Sequence, residues 1–200
     1  MPVGSIEVIS GPMFGGKTTQ LIYRLSQVRA VGQPMLVFKP VTDTRDGQCE
    51  LRSHMGPGIK VTPVREARQI LTMIDKTTRV VALDEAQFFD AEVVNVCRML
   101  ADRGVRVIAA GLDMDYRRQP FGPMPGLLAI AESVTKVTAL CSVCGGPAIY
   151  TQRLIDGKPA GDVGPLILVG GSDLYVARCR QHYNSPETGE RRTIEQLPLI

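Results

Sequence analysis

The chain has 200 residues, room for one ordinary domain with a small appendage and enough to bury a core without disulfide staples. Hydrophobic residues make up 44% and charged residues 22%, which excludes a mainly disordered chain. The net charge of +3, from 23 basic and 20 acidic residues, is too small an excess to argue by itself for a nucleic-acid binder.

The chain opens on MPVGSIEVISG, which has neither a basic segment nor a small-residue cleavage site, so no secretory signal is expected. Within it, Ile6 to Ser10 reads as a short buried strand. It runs into the glycine-rich Gly11–Gly16. Leu21, Ile22, Leu25 and Val28 then follow helical spacing, up to Gly32. Met35–Phe38 (MLVF) is a second buried strand. Residues 40–62 are polar and rich in turn formers, among them Asp46-Gly47 and Gly56-Pro57-Gly58, and read as a long functional or mobile loop. A helix is expected over Ala67–Ile74, and a third strand over Val80–Leu83, ending at Asp84-Glu85. A further helix covers Glu92–Arg103, stopped by Gly104, and a fourth strand covers Val105–Ala110. No apolar run approaches the roughly 20 residues of a membrane-spanning helix.

Short apolar strands alternating with helices predict an α/β fold, a parallel sheet flanked by helices. Ligands bind such sheets at the carboxyl ends of the strands, where Gly11–Thr18, Asp84-Glu85 and Gly111–Asp115 all fall. After about Leu140 the character changes. Tyr150–Ile155 and Leu166–Val169 look like strands joined by the turn-rich DGKPAGDVGP. The expected division is a nucleotide-binding domain over 1–138, a small metal-binding domain over 139–184 and a polar, flexible tail over 185–200.

Gly11-Pro12-Met13-Phe14-Gly15-Gly16-Lys17-Thr18 fits G-x-x-x-x-G-K-[ST] at every fixed position. The glycines let backbone amides wrap a phosphate, and the following helix adds its positive N-terminal end. Lys17 is placed to reach the β- and γ-phosphates and Thr18 to ligate Mg²⁺. A carboxylate at the end of a neighbouring strand holds Mg²⁺ in such enzymes, which assigns that role to Asp84. Glu85 points to the other side of the chain, free to accept a proton from an attacking hydroxyl or water. In the long loop, Arg45 is suited to neutralise phosphate charge, with Asp43 beside it; the competing reading is two solvated side chains.

Cys141-Ser142-Val143-Cys144 and Cys179-Arg180-Gln181-His182 form C-x₂-C…C-x₂-H, a tetrahedral zinc set with no open position and therefore structural. Gly145-Gly146 suits the tight turn of a zinc knuckle. Five cysteines, an odd number without the spacing of a disulfide scaffold, fit a reduced, cytoplasmic chain. Cys97 reads as a core residue of its helix. Cys49 is unexplained, and His54 reads as a loop residue rather than a ligand.

These motifs together resemble the type II, zinc-containing thymidine kinase family, from about Gly4 to Tyr183. The marks are GPMFGGKT, DTR at 43–45, DEAQFF at 84–89, GLDMDYRRQPFG at 111–122, AESVTKVTALCSVCG at 131–145 and VGGSDLYVARCRQHY at 169–183. The resemblance implies a phosphate-loop fold with a small C-terminal zinc domain that carries a lasso-like lid loop. It implies ATP binding by Gly11–Thr18, with Asp43, Thr44, Arg45, Asp84, Glu85, Ala86 and Gln87 near the phosphates and metal. Glu85 would deprotonate the sugar 5′-hydroxyl of thymidine, giving dTMP in nucleotide salvage for DNA synthesis. Met13, Phe88, Leu112, Tyr116 and Phe121 would line the nucleoside pocket. Thr151, Leu166, Ile167, Leu168, Val169, Gly170 and Tyr175 would close it, with lasso main-chain groups reading the base. Tyr116 stands where many members have Phe. The cofactors implied are ATP, Mg²⁺ and a structural Zn²⁺. The partners implied are a nucleoside substrate, three further copies in a homotetramer and dTTP as feedback inhibitor, with no nucleic acid and no membrane.

Two other readings use the same residues. Asp84-Glu85-Ala86-Gln87 resembles the acidic box of helicase-type ATPases, although the chain lacks a second such domain and a basic track for a strand. The zinc ribbon, with Arg178, Arg180, Arg191 and Arg192, is also compatible with a nucleic-acid-binding module, although no aromatic stacking face is evident. ATPase activity stimulated by nucleic acid favours the first, and an oligonucleotide shift at physiological salt the second.

Overall fold

A computed structural model describes residues 4–41, 50–51, 58–161, 165–168 and 170–185. Its centre is a six-stranded sheet built from β1 (Ser5–Ser10), β2 (Met35–Pro40), β5 (Thr62–Val64), β6 (Val80–Leu83), β7 (Arg106–Gly111) and β8 (Ser133–Lys136). The order across the sheet is β5-β2-β6-β7-β1-β8, and every neighbouring pair is parallel. β1, β7 and β6 are therefore side by side, and their carboxyl ends open on one place.

Alternation along the strands produces the layers. Ile6, Val8, Val81, Leu83, Val107 and Ala109 face one side, and pack with α2 (Gln69–Met73), α3 (Val93–Asp102) and α4 (Met124–Ile130). Ile9, Val80, Ala82, Ile108 and Ala110 face the other side, under α1 (Lys17–Ala30) and the hairpin of β3 (Glu50–Leu51) and β4 (Ile59–Lys60). Because both faces are covered, the strands are apolar on both, as parallel sheets require. α1 buries Leu21, Leu25 and Val28, one stripe at helical spacing. Cys97 is fully buried in α3, and burial pushes its thiol up to about 12.

After β8 the chain forms two small antiparallel sheets. One pairs β9 (Ala139–Leu140) with β10 (Pro147–Ala148); the other is ordered β12-β11-β13, from β11 (Tyr150–Ile155), β12 (Lys158–Pro159) and β13 (Tyr175–Arg178).

Four expectations are corrected. The stretch read as one long loop contains β3, β4 and the start of β5. Proline at Pro63 hid β5, and an edge strand tolerates it. α4 and β8 were not foreseen: α4 is laced with Pro123, Pro125 and Gly126, and β8 is a largely polar edge strand. Leu166–Leu168 are not a strand. The helix over Ala67–Ile74 is shorter, Gln69–Met73. Asp43, Thr44, Arg45, Cys49, His54, Val169, Arg191 and Arg192 lie outside the described residues, as does the tail beyond residue 185.

Candidate active site

The phosphate loop lies between β1 and α1. Gly11 has φ +147 and backs onto Val137, whose carbonyl oxygen would be 2.4 Å from any Cβ there. Gly16, φ +78, turns the chain into α1. Lys17 Nζ donates to the Pro12 carbonyl at 2.7 Å, so the ammonium is held over the loop. Thr18 Oγ1 lies 3.5 Å from Asp84 Oδ1, joining the start of α1 to the end of β6. A hydroxyl and a carboxylate oxygen brought together beside Lys17 are a hard oxygen donor set that would fit Mg²⁺.

Glu85 does not point away from Asp84. It takes a left-handed conformation, φ +51, which breaks the strand alternation and keeps both carboxylates on one cavity. Gln87 fixes this turn. Its amide nitrogen donates to Glu85 Oε2 at 2.6 Å, and its oxygen accepts from Leu112 N at 2.9 Å. Gln87 is itself buried, in a slot between glycines. A Cβ on Gly111 would meet Gln87 Oε1 at 2.8 Å, and one on Gly122 the Gln87 carbonyl at 2.2 Å.

The cavity has a volume of about 290 Å³, close to the lower end of small-molecule sites, roughly 300–1,000 Å³. Of the residues singled out in the sequence, Met13, Phe14, Gly16, Lys17, Thr18, Asp84, Glu85, Phe88, Leu112, Tyr116, Phe121, Thr151, Leu166, Ile167, Leu168, Gly170 and Tyr175 all line it. Gly11, Pro12, Gly15, Ala86 and Gln87 are not among the lining residues, and Ala86 is part of the core. Met114 and Asp115, within the Gly111–Asp115 strand end expected at the site, line the cavity too, and Thr19 and Ala110 line it without having been singled out. Asp115 stands in the GLDMDYRRQPFG run, where Oδ1 accepts from Arg117 N and Gln119 N and shapes the turn.

One wall is aromatic: Phe88 and Phe121 meet edge to face with centroids 5.5 Å apart. Tyr116 is buried, and its hydroxyl accepts from Arg117 Nε at 2.9 Å. The group that distinguishes it from Phe is thus engaged with a neighbouring side chain. Residues from β11 onward close the other wall. Thr151 Oγ1 accepts from Met13 N at 3.0 Å, tying β11 to the phosphate loop. Tyr183 donates to the Tyr116 carbonyl, and Arg118 lies over the rings of Tyr183 and Tyr150.

Cys141, Cys144, Cys179 and His182 come together, with all four ligand atoms within 4.8 Å of one another. Individual spacings are 3.9 Å for Cys144–Cys179 and 3.7 Å for Cys141–His182 Nδ1. These suit the edges of a tetrahedron with metal bonds of about 2.0–2.3 Å. Gly145, φ +69, makes the turn between the first pair and β10. Burial works against the Cys141 thiolate, yet the amides of Cys179, Val143 and Cys144 outweigh it and hold its pKa at about 5. Three thiols and one imidazole, one thiol already disposed to ionise, are a donor set that fits zinc.

A strand-to-helix loop of amides beside an acidic strand end, opening on a cavity with room for an organic acceptor, defines a phosphate-loop kinase. The model of the thymidine kinase family matches residues 4–183, and the chain belongs to that family. It is accordingly a nucleotide-binding enzyme of the transferase class.

Proposed function

We propose that this chain transfers the γ-phosphate of ATP to the 5′-hydroxyl of thymidine, giving dTMP and ADP. The observation that carries the reading is the position of Glu85. It lines the same cavity as Lys17 and Thr18 of the phosphate loop and the Phe88–Phe121 pair.

In this reading the triphosphate lies along the Gly11–Thr18 amides, with Lys17 leaving the Pro12 carbonyl for the β- and γ-oxygens. Thr18 and Asp84 would hold Mg²⁺, which when bound would neutralise charge on those oxygens. Phe88, Phe121, Leu112 and Tyr116 enclose the nucleoside, and Met13, Thr151, Leu166–Leu168 and Gly170 cover it. Glu85 Oε accepts the 5′-hydroxyl proton while Gln87 holds the carboxylate in place. The 5′-oxygen forms the new bond to phosphorus, and the pair from the breaking bond leaves with ADP. Enclosure keeps water from taking the phosphoryl group instead. Cys141, Cys144, Cys179 and His182 would hold zinc, which would tie down the end of β13 and, through its pairing with β11, steady Thr151 and Tyr175 at the cavity. We extend the reading to a cytoplasmic homotetramer in nucleotide salvage, inhibited by dTTP.

The test is transfer of labelled γ-phosphate to thymidine and deoxyuridine by zinc-loaded protein, with product identified chromatographically. Labelled dTMP is the expected product. ATP hydrolysis that ignores thymidine and responds to single-stranded DNA would overturn the reading in favour of a nucleic-acid-stimulated ATPase.

A further inference from the structure

We propose that Arg153 is the positioning residue that sets the seat of the nucleoside, although its own side chain does not line the cavity. The inference rests on the reading of that cavity as the nucleoside site. Arg153 lies on β11 and is only 3% exposed, an unusual place for a guanidinium.

Its donors account for the placement. Nη1 donates to the Pro165 carbonyl at 2.5 Å and Nη2 to the Leu166 carbonyl at 2.7 Å. Nε and Nη2 both donate to the Tyr175 hydroxyl, at 3.2 and 2.9 Å. That hydroxyl in turn donates to the Leu168 carbonyl at 2.8 Å. One guanidinium therefore fixes three carbonyls of the 165–168 segment, two directly and one through a phenol. Among the described residues no backbone amide takes these carbonyls, and the segment belongs to no strand. Its side chains are also half exposed, so packing alone does not locate it.

The same guanidinium lies over the Tyr116 ring, 3.9 Å from its centroid. Arg153 thus braces two walls of the cavity at once: the aromatic floor carried by the loop after β7, and the 165–168 segment facing it. A planar fork with five fixed donors can do both; an ammonium cannot reproduce that geometry.

The test compares wild type with Arg153→Lys, Arg153→Ala and Tyr175→Phe, all zinc-loaded and shown by thermal unfolding to fold. For Arg153→Lys we expect thymidine KM to rise by roughly 30-fold or more, with kcat within about fivefold and ATP KM within about twofold. Tyr175→Phe keeps the guanidinium but cuts the link to Leu168, and should raise thymidine KM by about fivefold. Added guanidinium ion should restore part of the thymidine affinity to Arg153→Ala and leave wild type unaffected. A merely structural arginine would lower stability and both substrate affinities together, with no such rescue. Thymidine KM within twofold of wild type in Arg153→Lys, or a fall in kcat alone, overturns the inference and leaves the proposed function standing. Should Arg153→Ala not fold, Arg153→Lys and Tyr175→Phe decide the matter. A folded wild type that does not phosphorylate thymidine overturns the function and this inference with it.

Discussion

Gln87 is the side chain on which the acidic turn depends. It satisfies a carboxylate oxygen of Glu85 and the amide of Leu112 at once. Gln87→Leu removes both partners and leaves a buried amide unpaired. We expect kcat to fall by roughly 10- to 100-fold from misplacement of Glu85, and steady-state kinetics with kcat unchanged would refute the role. Tyr183 gives a prediction in pH. Burial raises its phenol from the ordinary 10 to about 12, against the pull of the neighbouring Arg118. A phenol whose pKa is raised by folding contributes stability that is complete below pH 10 and is lost as pH rises through 12. Difference titration of tyrosinate absorbance between wild type and Tyr183→Phe should show the missing phenol ionising near 12. Ionisation near 10 would mean that the Tyr183–Tyr116 contact is open in solution.

At the level of elements, what repeats in the sequence was readable and what is fixed by neighbours was not. Val80–Leu83 is an apolar run, and Ser5–Ser10 carries Ile6, Val8 and Ile9; each strand is followed by chemistry, and their positions follow from the residues themselves. β8 and α4 are carried by a polar edge and by proline-rich turns, so pattern alone is mute there. Glu85 was read by strand alternation, which fails because the chain turns left-handed at that residue. Gln152 and Arg153 are consecutive polar residues, both buried, because β11 is covered on both faces; nothing in YTQRLI announces it. The convergence of Cys141, Cys144, Cys179 and His182 was legible, since their spacing singles out these four residues. Turn glycines offer a direct check. At Gly122 the backbone has φ +51 and a Cβ would strike the Gln87 carbonyl, so Gly122→Ala should cost about 2–4 kcal/mol in denaturant unfolding. A loss below about 0.5 kcal/mol, ordinary for a surface change, would show that this loop yields.

Over the whole molecule, two stabilising systems meet at one cavity. The parallel sheet has two large apolar clusters, whereas among the described residues the part around the Cys₃His cluster has a small one, of Ala139, Cys141, Ala148 and Ala177 packed with Cys179. A metal at the Cys₃His cluster would add to the contacts that hold β13 and, through its pairing, β11. Chelation should therefore abolish thymidine binding while the far-UV signal of the sheet and ATP binding persist. Loss of the sheet at the same chelator concentration would contradict that division. Among the described residues no helix is long and apolar enough to cross a membrane. The central question is whether the Glu85 carboxylate takes the 5′-proton. Phosphate transfer from ATP to thymidine should be measured for wild type and Glu85→Gln, with thymidine affinity determined by calorimetry on both. We expect kcat to drop by roughly 100-fold or more, the scale of a general base, with thymidine affinity unchanged. Transfer that survives the substitution would contradict the mechanism and move the base elsewhere in the cavity.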